Sequence, residues 1–248
     1  MFFRVYDGGM ATHFSVEAMR FLRGLKRNND RVWFAERKYI YERAVKAPMV
    51  ALVSEVNEAL AEFAPEHVRP PQKAMLRIYR DVRFSSDKRP YKIHQAAWWG
   101  REGMPKTSGA GFYLSVNAER VVVAAGLFMP DAEQLLAVRR MLLQRHPAYR
   151  SAVKVATRRG AMTASDGQPL TRAPKGFPAE HAAVDLIKQR RWGVSVDLPA
   201  EAALEPGLVR EVVRRFRLAA AMVEMLNAPV TKQRRPLFGL DGSAVSRG

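Results

Sequence analysis

The chain has 248 residues, enough for one large domain or two small ones, and 48% of them are hydrophobic, which excludes a disordered body. It has no cysteine, so a disulfide framework, a thiolate metal site and a cysteine nucleophile are all excluded. Its formal net charge of +17 sets up a field that attracts polyanions, whether through a dedicated site or through a generally arginine-rich surface.

Residues 1–13 contain no apolar run long enough for a signal peptide and are expected to be a flexible lead-in. No stretch approaches the apolar length of a transmembrane helix, so a soluble cytoplasmic protein is expected, with no membrane partner. The first helix is predicted to start at Ser15 as N-cap, with Phe14 stapling Met19, and to end at Asn28-Asn29. Asn29 or Asp30 then caps a second helix carrying Trp33 and Phe34. Pro48 suits the first turn of a third helix or a kink. Val53, Val56, Leu60 and Phe63 form its apolar stripe, and Pro65 closes it.

Residues 74–84 alternate with period two and are predicted to form a strand. Ala74, Leu76, Ile78, Val82 and Phe84 would take one face, interrupted by Arg80, and Arg77, Tyr79, Asp81 and Arg83 the other. Strands are also expected at 93–99, 111–117 and 121–129, the last two joined by a hairpin turn at Asn117 to Arg120. The glycine-rich connection from Gly100 to Gly111 reads as a lid or a hairpin loop, for it matches neither a P-loop nor a dinucleotide fingerprint.

Asp131 with Gln134 makes a capping box for the next helix. His146 is read as a cap before a further helix opened by Pro147 and stopped at Gly160. Residues 161–181 are a loop, with a turn and a small hairpin expected at Asp166-Gly167. A short helix at 182–189, a strand at 192–198 and a long helix ended by Pro229 complete the chain. The expected class is α+β, a single domain over residues 14–228 with a mostly antiparallel central sheet flanked by helices. Residues 229–248, with Lys232, Arg234 and Arg235, are expected to be a basic flexible tail.

The stretch from Arg77 to Lys92 concentrates six cations, two aspartates and two tyrosines. Guanidinium forks match phosphate or carboxylate oxygens with paired hydrogen bonds, and lysine adds point charges. Arg77, Arg83, Lys88, Arg89 and Lys92 are the candidate anion ligands, Tyr79 and Tyr91 would orient the guest, and Asp81 and Asp87 would hold the cations in place. Pro90 stiffens the turn that carries them. The alternative reading of the same residues is a salt-bridge network, with Arg80 needing a carboxylate partner and Glu36, Glu42 and Glu55 available from the helices.

The sequence resembles the bacterial and fungal family known as domain of unknown function 2461. The resemblance rests on Arg77, Arg80-Asp81, Arg83-Phe84, Ser85, Asp87-Lys88 and Pro90-Tyr91-Lys92. Upstream it extends to Asn28-Asn29, Arg31, Trp33-Phe34 and Lys46-Ala47-Pro48. Downstream it includes Gly111-Phe112-Tyr113, Gly126-Leu127-Phe128 with Pro130, and Lys175-Gly176-Phe177-Pro178. It covers roughly residues 14–228 and departs at Val32, where a polar or acidic residue is expected. It implies one domain of about this length and no established activity.

Sharper catalytic motifs fail. Ser85 and Lys88 have the serine–lysine spacing of penicillin-recognising enzymes, and Lys106 loosely echoes their third motif, but the element between is missing. The five histidines have no zinc-ligand spacing, and Asp81 with Asp87 is better explained by ion pairs than by magnesium, so no metal and no cofactor is expected. The expected partner is nucleic acid or a phosphorylated small molecule, bound with or without catalysis; the oligomeric state is left open.

Overall fold

The computed structural model describes residues 14–104 and 108–231. The expected lead-in at 1–13, Lys106, and the tail cations Lys232, Arg234 and Arg235 lie outside the described residues. Helix α1 (Val16–Arg27) is capped by the Ser15 hydroxyl, which accepts from the Ala18 amide, and α2 (Arg31–Glu36) by the Asp30 carboxylate, which accepts from the Trp33 amide. Helix α3 (Lys38–Ile40) runs through a π turn (Tyr41–Lys46) into α4 (Ala47–Phe63). The π turn has a local cause: Pro48 sits in the first turn of α4 without an amide hydrogen, and the Ala47 amide reaches back five residues to the Glu42 carbonyl. A 3₁₀ turn (Pro65–His67) and the single-turn α5 (Pro71–Ala74) lead to β1 (Met75–Leu76).

Strands β2 (His94–Gly100), β3 (Gly111–Asn117) and β4 (Arg120–Leu127) form an antiparallel meander. Asn117 makes the tight turn before β4, its side-chain oxygen accepting from the Glu119 and Arg120 amides. Helix α6 (Ala132–Thr157) begins at the capping box of Asp131 and Gln134. The backbone leaves helical geometry at Arg145 (φ −119, ψ 17), so two helices meet at a kink there and Pro147 falls in the first turn of the second, as expected; the non-helical residue is Arg145, one before the expected cap His146. The His146 ring meets that of His181 edge-on at 5.4 Å.

The turn at Gly167 is present, but the flanking β5 (Thr163–Ala164) pairs with the distant β6 (Trp192–Pro199), not within a local hairpin. Between them α7 (Val184–Ile187) is shorter than the expected 182–189. Helix α8 (Leu208–Thr231) passes through Pro229, so the first three residues assigned to the tail are helical.

The sheet order is β1-β2-β3-β4-β6-β5, with every neighbour antiparallel, which makes the fold α+β as expected. Two-residue strands close both edges and leave little ladder for another chain to extend. Ala97, Trp99, Phe112, Leu114, Val123, Ala125 and Val194 turn one face of the sheet into the core, against buried residues of α1, α4, α6 and α8. Phe216 of α8 lies 5.4 Å from Trp99 and 4.9 Å from Phe112, ring centre to ring centre. No helix of the described residues is long and apolar enough to cross a membrane.

Candidate polyanion-binding site

The stretch from Arg77 to Lys92 leaves the sheet at β1 and returns at β2. The expected strand over 74–84 is a correction: only Met75 and Leu76 pair as a strand, and beyond them a single bridge joins Tyr79 to Tyr91. The base of the excursion is closed by the Lys92 amide donating to the Ile78 carbonyl (2.8 Å) and the Arg80 amide to the Pro90 carbonyl (2.9 Å). Pro90 has no amide to return, so the ladder cannot extend there. Side-chain oxygens take over further out. Asp81 accepts from the Arg83 amide (3.3 Å), Ser85 from the Asp87 amide (3.2 Å) and Asp87 from the Arg89 amide (3.1 Å). These short-range bonds compete with strand pairing and win wherever Asp and Ser recur every few residues. The expected apolar face is lost with the strand: Ile78 is buried, whereas Phe84 is 95% exposed.

The base is anchored to the helices from below. Asn29, in the turn between α1 and α2, holds the Tyr91 backbone from both sides, its amide nitrogen donating to the carbonyl and its oxygen accepting from the amide, each at 3.0 Å. The Tyr91 ring stacks on Phe34 with centres 4.1 Å apart and is 5% exposed, so this tyrosine belongs to the support and presents no open ring face. Burial raises the pKa of its hydroxyl. Tyr79 is half exposed above the same cluster, 5.4 Å from Tyr91. On the sheet side, the buried Gln95 amide donates to the Leu76 carbonyl (2.7 Å) and its oxygen accepts from the Tyr41 hydroxyl (2.9 Å). Sequence reasoning assigned Asn29 to helix capping and gave Gln95 no role. The Asn28-Asn29 pair was the available signal, since one asparagine suffices to end a helix.

The cations divide into two groups. Asp81 holds Arg83 through Nε (3.0 Å) and Nη2 (2.8 Å), and Asp87 holds Arg89 through the same two nitrogens and Arg80 through Nη1 (2.6 Å). Two aspartates thus serve three arginines. The bonds from Arg83 hold the Asp81 carboxyl down at about 2, and those from Arg89 and Arg80 hold Asp87 well below the usual carboxylate range. Among the described residues Lys88 donates only to the Val82 carbonyl (3.1 Å), Lys92 donates to the Arg77 carbonyl (3.1 Å), and the Arg77 guanidinium makes no hydrogen bond or ion pair. Of the helix carboxylates, Glu36 pairs with Arg37 and Glu42 with Lys46 rather than with the excursion.

Arg83 and Arg89 each spend Nε and Nη2 on an aspartate, which leaves the Nη1 hydrogens directed elsewhere. Arg83 also lies 5.7 Å over the Phe84 ring. The excursion therefore presents a stiffened cationic tip with one exposed aromatic ring, Phe84. Among the described residues, five concavities of about 330 to 550 Å³ have linings that include none of these cations.

Fold and site together define an antiparallel α+β protein with a basic excursion between its first two strands. The chain belongs to the family of conserved hypothetical proteins called domain of unknown function 2461, whose model matches residues 17–225. No curated protein matches it.

Proposed function

We propose that the excursion at 77–92 binds the phosphates of a nucleic acid on an open surface, with no reaction attached. The observation that carries this reading is the tip itself, where Phe84 stands 95% exposed beside Arg83. An exposed aromatic face beside a guanidinium is a platform for stacking, and bases stack on such faces regardless of sequence. Arg77, Arg83, Lys88, Arg89 and Lys92 on the same excursion offer donors for backbone phosphates, and Tyr79 offers a second half-open ring. None of the five concavities among the described residues is lined by these cations, which favours an open surface over a cavity for a small phosphorylated substrate.

A second reading has a specific observation behind it. The Asp81 and Asp87 pairs would serve equally well to stiffen the excursion for its own sake. Binding of a labelled single-stranded oligonucleotide, followed by anisotropy over a range of salt, separates the two. The double variant Arg83→Ala, Lys88→Ala is expected to lose affinity and to flatten the log K against log salt slope by about 1.4, or ~0.7 per phosphate contact. Exposed ion pairs contribute about 0–1 kcal/mol, so its melting temperature is expected to fall by only a few degrees. An unchanged slope together with a large loss of melting temperature would transfer the stretch to the stiffening role.

A further inference from the structure

Helices α6 and α8 pack against each other and leave two adjoining concavities, of about 520 and 460 Å³, where α6 ends. Arg158, Arg214 and Leu218 line both, Arg210 and Arg217 the first and Arg159 the second. Five guanidiniums therefore share one groove. Among the described residues that line it, none is acidic and none is aromatic. The rest of the lining is aliphatic, from Val155, Val213 and Leu218.

Carboxylates reach only part of this charge. Glu211 accepts from Arg214 Nη2 (3.1 Å) and also pairs with the buried Arg215, and Glu62 accepts from Arg217 Nη2 (2.8 Å). The Arg217 guanidinium also lies 4.6 Å over the Phe63 ring, so Arg214 and Arg217 are held in place before any guest arrives. Arg158, Arg159 and Arg210 are exposed and make no hydrogen bond or ion pair among the described residues. The dipole of α6 favours cations at its end, which accounts for Arg158. It does not account for Arg210, which stands in the first turn of α8, where the dipole is already positive. Nor does it account for the backbone of Arg159, whose φ of +52 is a left-handed conformation costly to any residue with a side chain. Internal pairing explains neither position, and an anion in the groove explains both.

We infer that this groove binds a chain of linked phosphates. Guanidinium forks grip phosphate oxygens in pairs, and five forks exceed what the oxygens of one phosphate can serve. No ring lines the groove to stack on a base, so the phosphate chain itself is what is recognised, free or as the tail of a nucleotide. The donors stand on two packed helices, which orders them in advance. The excursion at 77–92 contributes no residue to this lining, so the two surfaces are separate.

Tripolyphosphate titrated calorimetrically into the full chain at fixed ionic strength is expected to show one tight equivalent, bound about tenfold or more tighter than orthophosphate. The double variant Arg158→Gln, Arg210→Gln removes two unpaired guanidiniums. It is expected to weaken binding about tenfold or more with little change in melting temperature. Arg159→Gly removes a third and relieves the left-handed backbone. Its affinity is expected to fall several-fold while its melting temperature holds or rises, a divergence that a purely structural arginine would not give. The excursion variant Arg83→Ala, Lys88→Ala is expected to bind tripolyphosphate as the unaltered chain does. Adenosine triphosphate is expected to bind no tighter than tripolyphosphate. Absence of a tight equivalent, equal affinity for orthophosphate, or equal affinity in the Arg158, Arg210 variant overturns the site. Loss of binding in the excursion variant overturns its separateness, and tighter binding of the nucleotide overturns recognition of the phosphate chain alone. The oligonucleotide experiment reads the excursion and can fail while this one succeeds.

Discussion

Asn29 shows how much a single amide can organise. It joins positions 62 apart in sequence by giving and taking one hydrogen bond each with the Tyr91 backbone. A leucine of similar size could do none of this and an aspartate only the accepting half, because the clamp needs a donor and an acceptor on one planar group. Asn29→Ala leaves the Tyr91 amide and carbonyl without these partners, at a cost of about 1–3 kcal/mol. The expected result is a lower melting temperature by about 2–4 °C per kcal/mol lost. Hydrogen exchange of the Tyr91 amide should accelerate while that of α4 does not. Equal acceleration in both places would mean that the substitution loosens the core and that the clamp is incidental. Were the excursion to swing free of α2 in this variant, oligonucleotide affinity would drop as well, since the cations would pay ordering entropy on binding.

At the level of elements, the pattern in the chain was informative where one local rule decided the outcome and silent where partners had to be chosen. Strands β2, β3 and β4 follow from alternation and from the Asn117 turn, and α1, α2 and α6 from their caps. The run at 74–84 alternates just as clearly, yet it fails as a strand because Asp81, Ser85 and Asp87 capture backbone amides locally. Period alone does not register that competition. The pairing of β5 with β6 was equally hidden, because β6 lies beyond a long loop and α7 and nothing in either run names the other. That Gly100, Gly111, Gly126 and Gly193 stand opposite one another is legible only after the register is known, since they lie in four different strands. One of them can be tested for strand packing alone. Gly126 has φ +145, and a Cβ there would stand 2.3 Å from the Trp192 carbonyl oxygen, a backbone atom that cannot rotate away. Gly126→Ala is expected to cost about 3 kcal/mol or more in chemical denaturation. Gly160→Ala, at φ +69 with open space around it, is expected to cost about 1 kcal/mol, the conformational part alone.

Across the whole molecule, composition and pattern specified the α+β class, and the cationic stretch was visible before any coordinates. How its charges divide between internal pairs and open donors was not, because that depends on which side chains the excursion folds against itself. The same division governs the response to pH. His67 is buried beside the sheet, with Nδ1 3.0 Å from the Trp99 carbonyl and Nε2 facing the Asn227 amide nitrogen at 3.5 Å. Nδ1 carries the proton in that arrangement, and a second proton would meet an N–H group in a closed space. Burial accordingly lowers the His67 pKa, and it lowers that of His94 too, helped by Lys92 and Arg80. A histidine whose pKa is lower folded than unfolded binds fewer protons in the native state. Its contribution to stability is therefore complete above about pH 6.5 and is withdrawn as the pH falls below that value. Asp81 and Asp87 act in a separate window. Their lowered values mean that their contribution holds above the ordinary carboxylate range and disappears as the pH falls toward about 2, where Asp81 takes up its proton. Melting temperature measured against pH is expected to fall in two stages, a first below about 6.5 and a second below about 4. His67→Gln, which can keep a donor toward the Trp99 carbonyl, should remove most of the first stage and leave the second intact. The double variant Asp81→Asn, Asp87→Asn should reduce the second stage, to which Glu119, Asp185 and Glu211 also contribute through their lowered values, and leave the first. A first stage of the same size in His67→Gln would move the titrating group elsewhere, with His94→Gln as the next variant to measure.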